Sequence, residues 1–182
     1  LTDVELAERI AAGDSDAGKH LVRQYYPGLY RFLRQLTGRF DDAEDLAQLT
    51  LIRAHAACRR FDGRASFRTW LHRIAFHEFT RWRRRRRWNL SLSSAPPQDE
   101  KQYAKLVEAD WLEKGLAQLP DGLRAAFLLH HVEELSIPEV ALILGVPEGT
   151  VKSRLFHARK RLQVLLGEEA NEVKNGKEAY EF

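Results

Sequence analysis

Apolar residues recur every three or four positions through almost all of this chain, and the period breaks decisively at one stretch, "NLSLSSAPPQDEKQ" (89–102). That spacing belongs to helices with one buried stripe, and strand-like alternation is nearly absent. Pro96 and Pro97 cannot continue a helix, and the serines and polar residues around them offer no apolar face. The pattern therefore predicts an all-α chain: two small helical domains, 1–88 and 106–166, joined by a flexible linker over 89–105. With 44% hydrophobic and 30% charged residues among 182, the chain can fill two such cores, and wholesale disorder is excluded.

Punctuation along the first domain is equally readable. "TDVE" (2–5) has capping-box spacing and opens a short helix that ends at Gly13. A second helical stretch runs from Asp16 to Leu36, with an interruption expected near Pro27–Gly28. After Asp41–Asp42, the positions Ala43, Leu46, Ala47, Thr50, Leu51 and Ala54 form one buried stripe. Asp62–Gly63 is a turn signal, and Ser66 can cap a helix running through Trp70, Leu71, Ile74 and Ala75 into "FTRWRRRRRW" (79–88). In the second half, pattern resumes near Lys105, breaks at "LPDG" (119–122) and fades after Leu166.

Charge is unevenly spread. The net formal charge is only +3, yet Arg64–Trp88 holds nine arginines against one acid, Glu78. The tail, 167–182, reverses the balance with five glutamates against two lysines. A basic stretch this dense suggests a polyanionic partner. The single cysteine, Cys58, excludes an internal disulfide and fits a reducing compartment. No apolar run reaches membrane length and no signal-like segment opens the chain, so a cytoplasmic setting without membrane insertion is expected. The chain contains no methionine, so Leu1 is not expected to mark the start of translation.

The most informative stretch is "LSIPEVALILGVPEGTVKSRLFHARKRL". Ser136 and Glu139 stand as N-cap and third helical residue, with Pro138 tolerated in the first turn. Val140, Ala141 and Leu144 form the inner face of a short helix, Gly145 suits a left-handed turn, and Pro147–Thr150 starts a second helix. Val151, Leu155, Ala158 and Leu162 fall on one buried face of it. Lys152, Ser153, Phe156, His157, Arg159 and Lys160 remain outside. A rigid helix presented by another, with donors toward its N-terminal half, is what a major-groove reader needs. Lys152 and Ser153 can reach base edges or phosphates, Phe156 can meet thymine methyls, and Arg159 and Lys160 suit phosphates.

At this point the chain resembles a known family. "LPDGLRAAFLLHHVEELSIPEVALILGVPEGTVKSRLFHARKRL" is similar to the promoter-reading C-terminal domain of bacterial sigma factors. "DDAEDLAQLTLIRAHAACRRFDGRASFRTWLHRIAFHEFTRWRRRRRW" is similar to the N-terminal domain of the extracytoplasmic-function (ECF) group, the smallest sigma factors. The resemblance spans roughly 3–165, with both motifs in order. It implies a factor that binds core RNA polymerase, directs it to promoters and assists DNA opening.

The resemblance also implies roles for residues. The "DDAEDLAQ" helix would dock on polymerase through Asp42, Glu44, Asp45, Gln48, Leu49, Ile52 and Arg53; Leu49 stands where the family usually has glutamate. The residues themselves agree, since Leu49 and Ile52 lie off the buried stripe and are ringed by acids. Contact with and opening of the −10 element would fall to Phe61, Arg64, Ser66, Phe67, Arg68, Trp70, Arg73, His77 and Arg81. An unstacked base needs an aromatic or apolar pocket with cations nearby. Within that set Phe67, together with Leu71 and Ile74, reads mainly as packing, Trp70 reads either way, and the loop Phe61–Ser66 carries the pocket. The arginine run would meet promoter backbone, and Trp82 and Trp88 read as anchors. The −35 element would be read by Glu148, Gly149, Thr150, Lys152, Ser153, Arg154, Phe156, His157, Arg159 and Lys160. A linker of about 18 residues reaches at most ~60 Å, comparable with one to two turns of duplex at ~35 Å each. The implied partners are core RNA polymerase, promoter DNA and an anti-sigma factor.

Other function classes fit less of the chain. A helix-turn-helix regulator acting without polymerase leaves the first domain unexplained. An enzyme would need a catalytic constellation, and there is no Gly-rich phosphate loop and no nucleophile with a base. The acids of "DDAED" suit a helix N-terminus better than a magnesium site. His55 with Cys58, and His130–His131, lack zinc partners at the usual spacing. Neither metal nor cofactor is expected.

Overall fold

In the computed structural model, which describes residues 2–92 and 111–178, the Thr2 hydroxyl accepts the Glu5 amide at 3.2 Å and Glu5 accepts the Thr2 amide at 2.8 Å. This reciprocal cap starts α1 (Asp3–Ala11). Asp14 caps α2 (Ser15–Thr37), which runs without a break through Pro27. The interruption expected there does not occur. Proline removes only its own donor, and the buried stripe continues on both sides through Leu21, Leu29, Phe32, Leu33 and Leu36. Gly38, at φ 72°, ends the helix.

α3 (Phe40–Ala57) buries Ala43, Leu46, Ala47, Thr50, Leu51 and Ala54, the stripe read from spacing. A 3₁₀ turn, Cys58–Arg60, leads to the loop before α4 (Phe67–Leu92). Ser66 caps α4 by accepting the Thr69 amide at 3.1 Å, and Asp3 of α1 accepts the Phe67 amide at 2.7 Å. α4 continues past Asn89, the expected start of the linker. The arginine run is thus a stretch of regular helix rather than a basic tail.

The second domain comprises α5 (Trp111–Gln118), α6 (Asp121–Phe127), α7 (Ile137–Leu144) and α8 (Glu148–Glu178). The pattern expected to resume near Lys105 lies outside the described residues. α6 passes into a π-helical segment, Leu128–Val132. α8 continues beyond Gly167, where the apolar pattern had faded, because Glu168, Glu169 and Ala170 are good helix formers. Leu116, Leu128, Leu129, Val140, Ile143, Val151 and Leu155 fill the core of this domain.

The two domains touch. α7 packs on α4, and α5 and α6 lie against α2.

Candidate functional site

The helix-turn-helix is built by its caps. Ser136 donates from its amide at 2.9 Å and from its hydroxyl at 2.7 Å to one oxygen of Glu139. Burial alone would raise the Glu139 pKa, but the bonds from Ser136 and Thr69 and the Arg68 charge hold it below its ordinary value. Gly145 takes the left-handed turn at φ 65°. Val151, Leu155, Ala158 and Leu162 are buried, which fixes the rotation of α8. Lys152, Ser153, Phe156, His157, Arg159 and Lys160 are consequently exposed on one continuous surface, Phe156 at 62%. Glu148 and Gly149 are exposed at its start, and Thr150 is half-buried. Arg154 differs from the rest of that set. Its guanidinium carbon lies 3.4 Å from where a β carbon at Gly122 would stand, so it turns back over α6.

On α4 and the loop before it, the aromatic residues form a packed group. Phe61 meets Phe67 at 5.1 Å and Trp70 at 5.4 Å between ring centroids, and Tyr25 meets Phe67 at 5.5 Å. Phe67 corrects the expected −10 set. It is fully buried at the centre of this group and has no surface to offer a base. Phe61 and Trp70 are half-buried, each with part of a ring accessible. Arg64 and Ser66 are exposed in the loop, and Arg73, His77 and Arg81 form an exposed stripe on α4.

Arg68 belongs to a different stripe. It donates to Glu133 of the second domain at 2.8 Å. Glu133 also faces Arg31 of α2 at 3.4 Å and His72 of α4 at 3.4 Å. Burial pushes the Glu133 carboxyl up, yet hydrogen bonds from His72 and Arg68 and the charges of His72 and Arg31 outweigh it and bring the pKa to about 2. Further along α4, Arg83 and Arg87 reach Asp121 at 3.0 and 3.7 Å. Thr69 donates to Glu139 at 2.8 Å. Because that hydroxyl proton is used, Ser66 must donate in the 2.8 Å contact between Ser66 and Thr69. Arg124, buried in α6, donates to the carbonyl of Leu36 at 3.1 Å and to that of Leu119 at 2.9 Å.

None of these cross-domain partners was legible in the sequence, because each pair is far apart in the chain. The one available signal was Glu133 itself, an acid at the end of an apolar run.

The third surface is α3. Glu44, Asp45, Gln48 and Arg53 are exposed, Ile52 is 65% exposed, and Leu49 is half-buried. Gln48 donates to Glu44 at 3.3 Å, and Arg53 pairs with the buried Glu78 at 2.8 Å. Asp42 is less available than its neighbours. It pairs with Arg39 at 2.6 Å and Arg86 at 3.5 Å and accepts from the Trp82 indole at 3.2 Å. Phe40, 61% exposed under the Arg34 guanidinium, extends the apolar part of this face. Its place off the buried stripe, immediately before the acids, was a signal that the sequence reading passed over.

Comparison with known proteins resolves what these surfaces belong to. Residues 21–89 match the family model of Sigma-70 region 2, and residues 109–162 match that of Sigma-70 region 4. The ECF sigma factor SigM of Mycobacterium tuberculosis is 34% identical over 170 residues, covering 91% of this chain and 85% of its own. The sigma-H factor of Pseudomonas aeruginosa is 33% identical over 186 residues, covering 91% and 96%. Among solved structures, the sigma factor RpoE of Bartonella quintana, in complex with the anti-sigma factor NepR, superposes with a TM-score of 0.69 at 32% identity, covering 82% of this chain and 96% of its own. CnrH, in complex with the cytosolic domain of CnrY, gives 0.68 at 28% identity, covering 91% and 97%. With both regions matched in order and relatives aligned over nearly their full length, the chain belongs to the ECF group of RNA polymerase sigma factors and acts as a promoter-directing partner of the core enzyme.

Proposed function

We propose that the three surfaces divide the work of initiation. The α3 face, Glu44, Asp45, Gln48, Leu49, Ile52 and Arg53, with Phe40 at its edge, docks on core polymerase. Its exposed apolar centre within a charged rim is the arrangement of a protein–protein contact. Arg64, Ser66 and the half-buried rings of Phe61 and Trp70 receive an unstacked −10 base, while Arg73, His77 and Arg81 hold the backbone beside it. The outer face of α8, from Lys152 to Lys160, reads the −35 element. Asp42 positions α3 rather than contacting polymerase.

The observation that carries this reading is the rotation of α8. Four buried positions fix the helix, and six exposed ones, four of them basic or histidine, share the opposite side. The chain works in the cytoplasm as a non-enzymatic subunit. An anti-sigma factor is a further partner, supported by the two similar structures, each solved as a complex with another protein.

In vitro transcription from a genomic fragment library, with core polymerase alone and with this protein added, tests the assignment. Start sites that appear only with the protein, sharing two spaced upstream motifs, are expected. Tight duplex binding without polymerase and no new start sites would instead indicate a regulator that never joins the enzyme.

A further inference from the structure

At the edge of the outer α8 surface, Arg159 directs its guanidinium Nε to Nε2 of His131 at 3.4 Å. His131 belongs to another element, the π-helical segment Leu128–Val132 between α6 and α7. Such segments are rare and recur at functional sites. The imidazole is exposed, yet rings fix its place: Phe127 lies 4.6 Å away and His130 4.8 Å away between centroids. His130 is anchored in turn, donating from Nδ1 to the Leu135 carbonyl at 2.8 Å.

The protein favours a neutral His131. Because Arg159 donates, Nε2 accepts, and the ring carries its proton on Nδ1. Partial burial against the neighbouring rings lowers the His131 pKa from 6.5, and the electrostatic effects of His130 and Arg159 lower it further. The charged or titratable groups around the ring are His130 on its own segment and Arg159 on α8, while α6 contributes the uncharged Phe127. None of these can balance a protonated imidazole.

An oxyanion placed between the two side chains reverses the balance. The guanidinium can donate to one of its oxygens and a protonated Nε2 to another, both as charge-assisted hydrogen bonds. The anion then strengthens the hold of His131 on its proton. Location selects a backbone phosphate rather than a base edge. A reading helix enters the groove while elements beside it meet the sugar–phosphate backbone, and His131 stands beside α8 rather than on it.

We propose that His131 and Arg159 together clamp one phosphate beside the −35 element, and that a solvent proton joins Nε2 as the phosphate docks. The clamp rests on the assignment of the α8 face to DNA. Binding is thereby linked to proton uptake. The contribution of His131 is full below the pKa of the free protein and is lost as pH rises through the raised value of the complex.

The test joins the full chain, as wild type, His131→Gln or His131→Arg, with core polymerase on a labelled promoter fragment from a mapped start site. If mapping yields none, an arbitrary labelled duplex is used with the full chain alone, since phosphate contacts carry no sequence information. Affinity is measured over a salt series at about pH 6 and about pH 8. At the lower pH, wild type should bind about threefold to tenfold more tightly than His131→Gln, with a salt slope steeper by about one. At the higher pH those two should converge, while His131→Arg keeps the tight binding and the steeper slope at both. Equal pH dependence in wild type and His131→Gln would overturn the proton uptake. Equal salt slopes in all three proteins at both pH values would overturn the phosphate contact. Lys152→Ala separates this failure from a failure of the DNA assignment. If it binds more weakly than wild type while the His131 variants do not differ, the clamp alone is wrong; if it too binds like wild type, the α8 face does not read DNA and both fall.

Discussion

A carboxylate as enclosed as Glu133 survives charged only because Arg68, Arg31 and His72 surround it. Its pKa is lowered from 4.5 to about 2, so its contribution is fully present above the ordinary value and is lost as pH falls through the lower one. Scattering radii should therefore be insensitive to pH near neutrality and rise only in strong acid. Cys58 behaves in the opposite sense. Burial pushes its thiol up to about 11, so it should resist thiol reagents at neutral pH and react only when the protein is unfolded by denaturant. Phe67 is the residue at which family resemblance and burial disagree. Truncation to alanine should cost about 3–5 kcal/mol in denaturant unfolding, as for a core aromatic, and folded protein should show little specific loss of DNA contact.

At the scale of elements, the helices were legible because burial and capping repeat at fixed intervals. The stripe of α3, the cap at Ser136 and the inward positions of α8 all followed from spacing. Pro27 misled because a local breaker was weighed without the packing that carries α2 across it. The arginine run was ambiguous for a related reason. Charge density alone does not reveal whether a stretch is helical, and only its register on α4 separates Arg83 and Arg87, which face Asp121, from the exposed Arg84 and Arg85. Glu139 does two jobs that sequence presented as one. Replacing Ser136 with alanine should cost about 1 kcal/mol through the cap. Glu139→Ala should cost more, and a double-mutant cycle with Thr69→Val should return a non-zero coupling. On the outer face of α8, proposed to read the −35 element, Lys152→Ala should weaken promoter-fragment binding and reduce the salt slope by about one.

For the whole molecule, the family and the two-domain plan were legible, but the contact between the domains was not. Its partners lie 65 to 102 residues apart in the case of Glu133, and charge patterning carries no address for a distant counter-ion. The same burial gives the Glu133 ion pairs and the proposed DNA surfaces different responses to salt. Exposed arginines lose phosphate attraction steeply as screening rises, while Glu133 is enclosed and screened far less. The free chain should thus remain compact by scattering at ionic strengths that abolish promoter binding. Asp42 has a consequence for inheritance. Because one carboxylate joins the start of α3 to Trp82 and Arg86 near the end of α4, a substitution there should disturb the proposed polymerase-docking and DNA-opening surfaces together. A genetic screen for alleles that separate those two phenotypes should leave codon 42 empty, and second-site suppressors of a change at that codon should gather at positions 82 and 86.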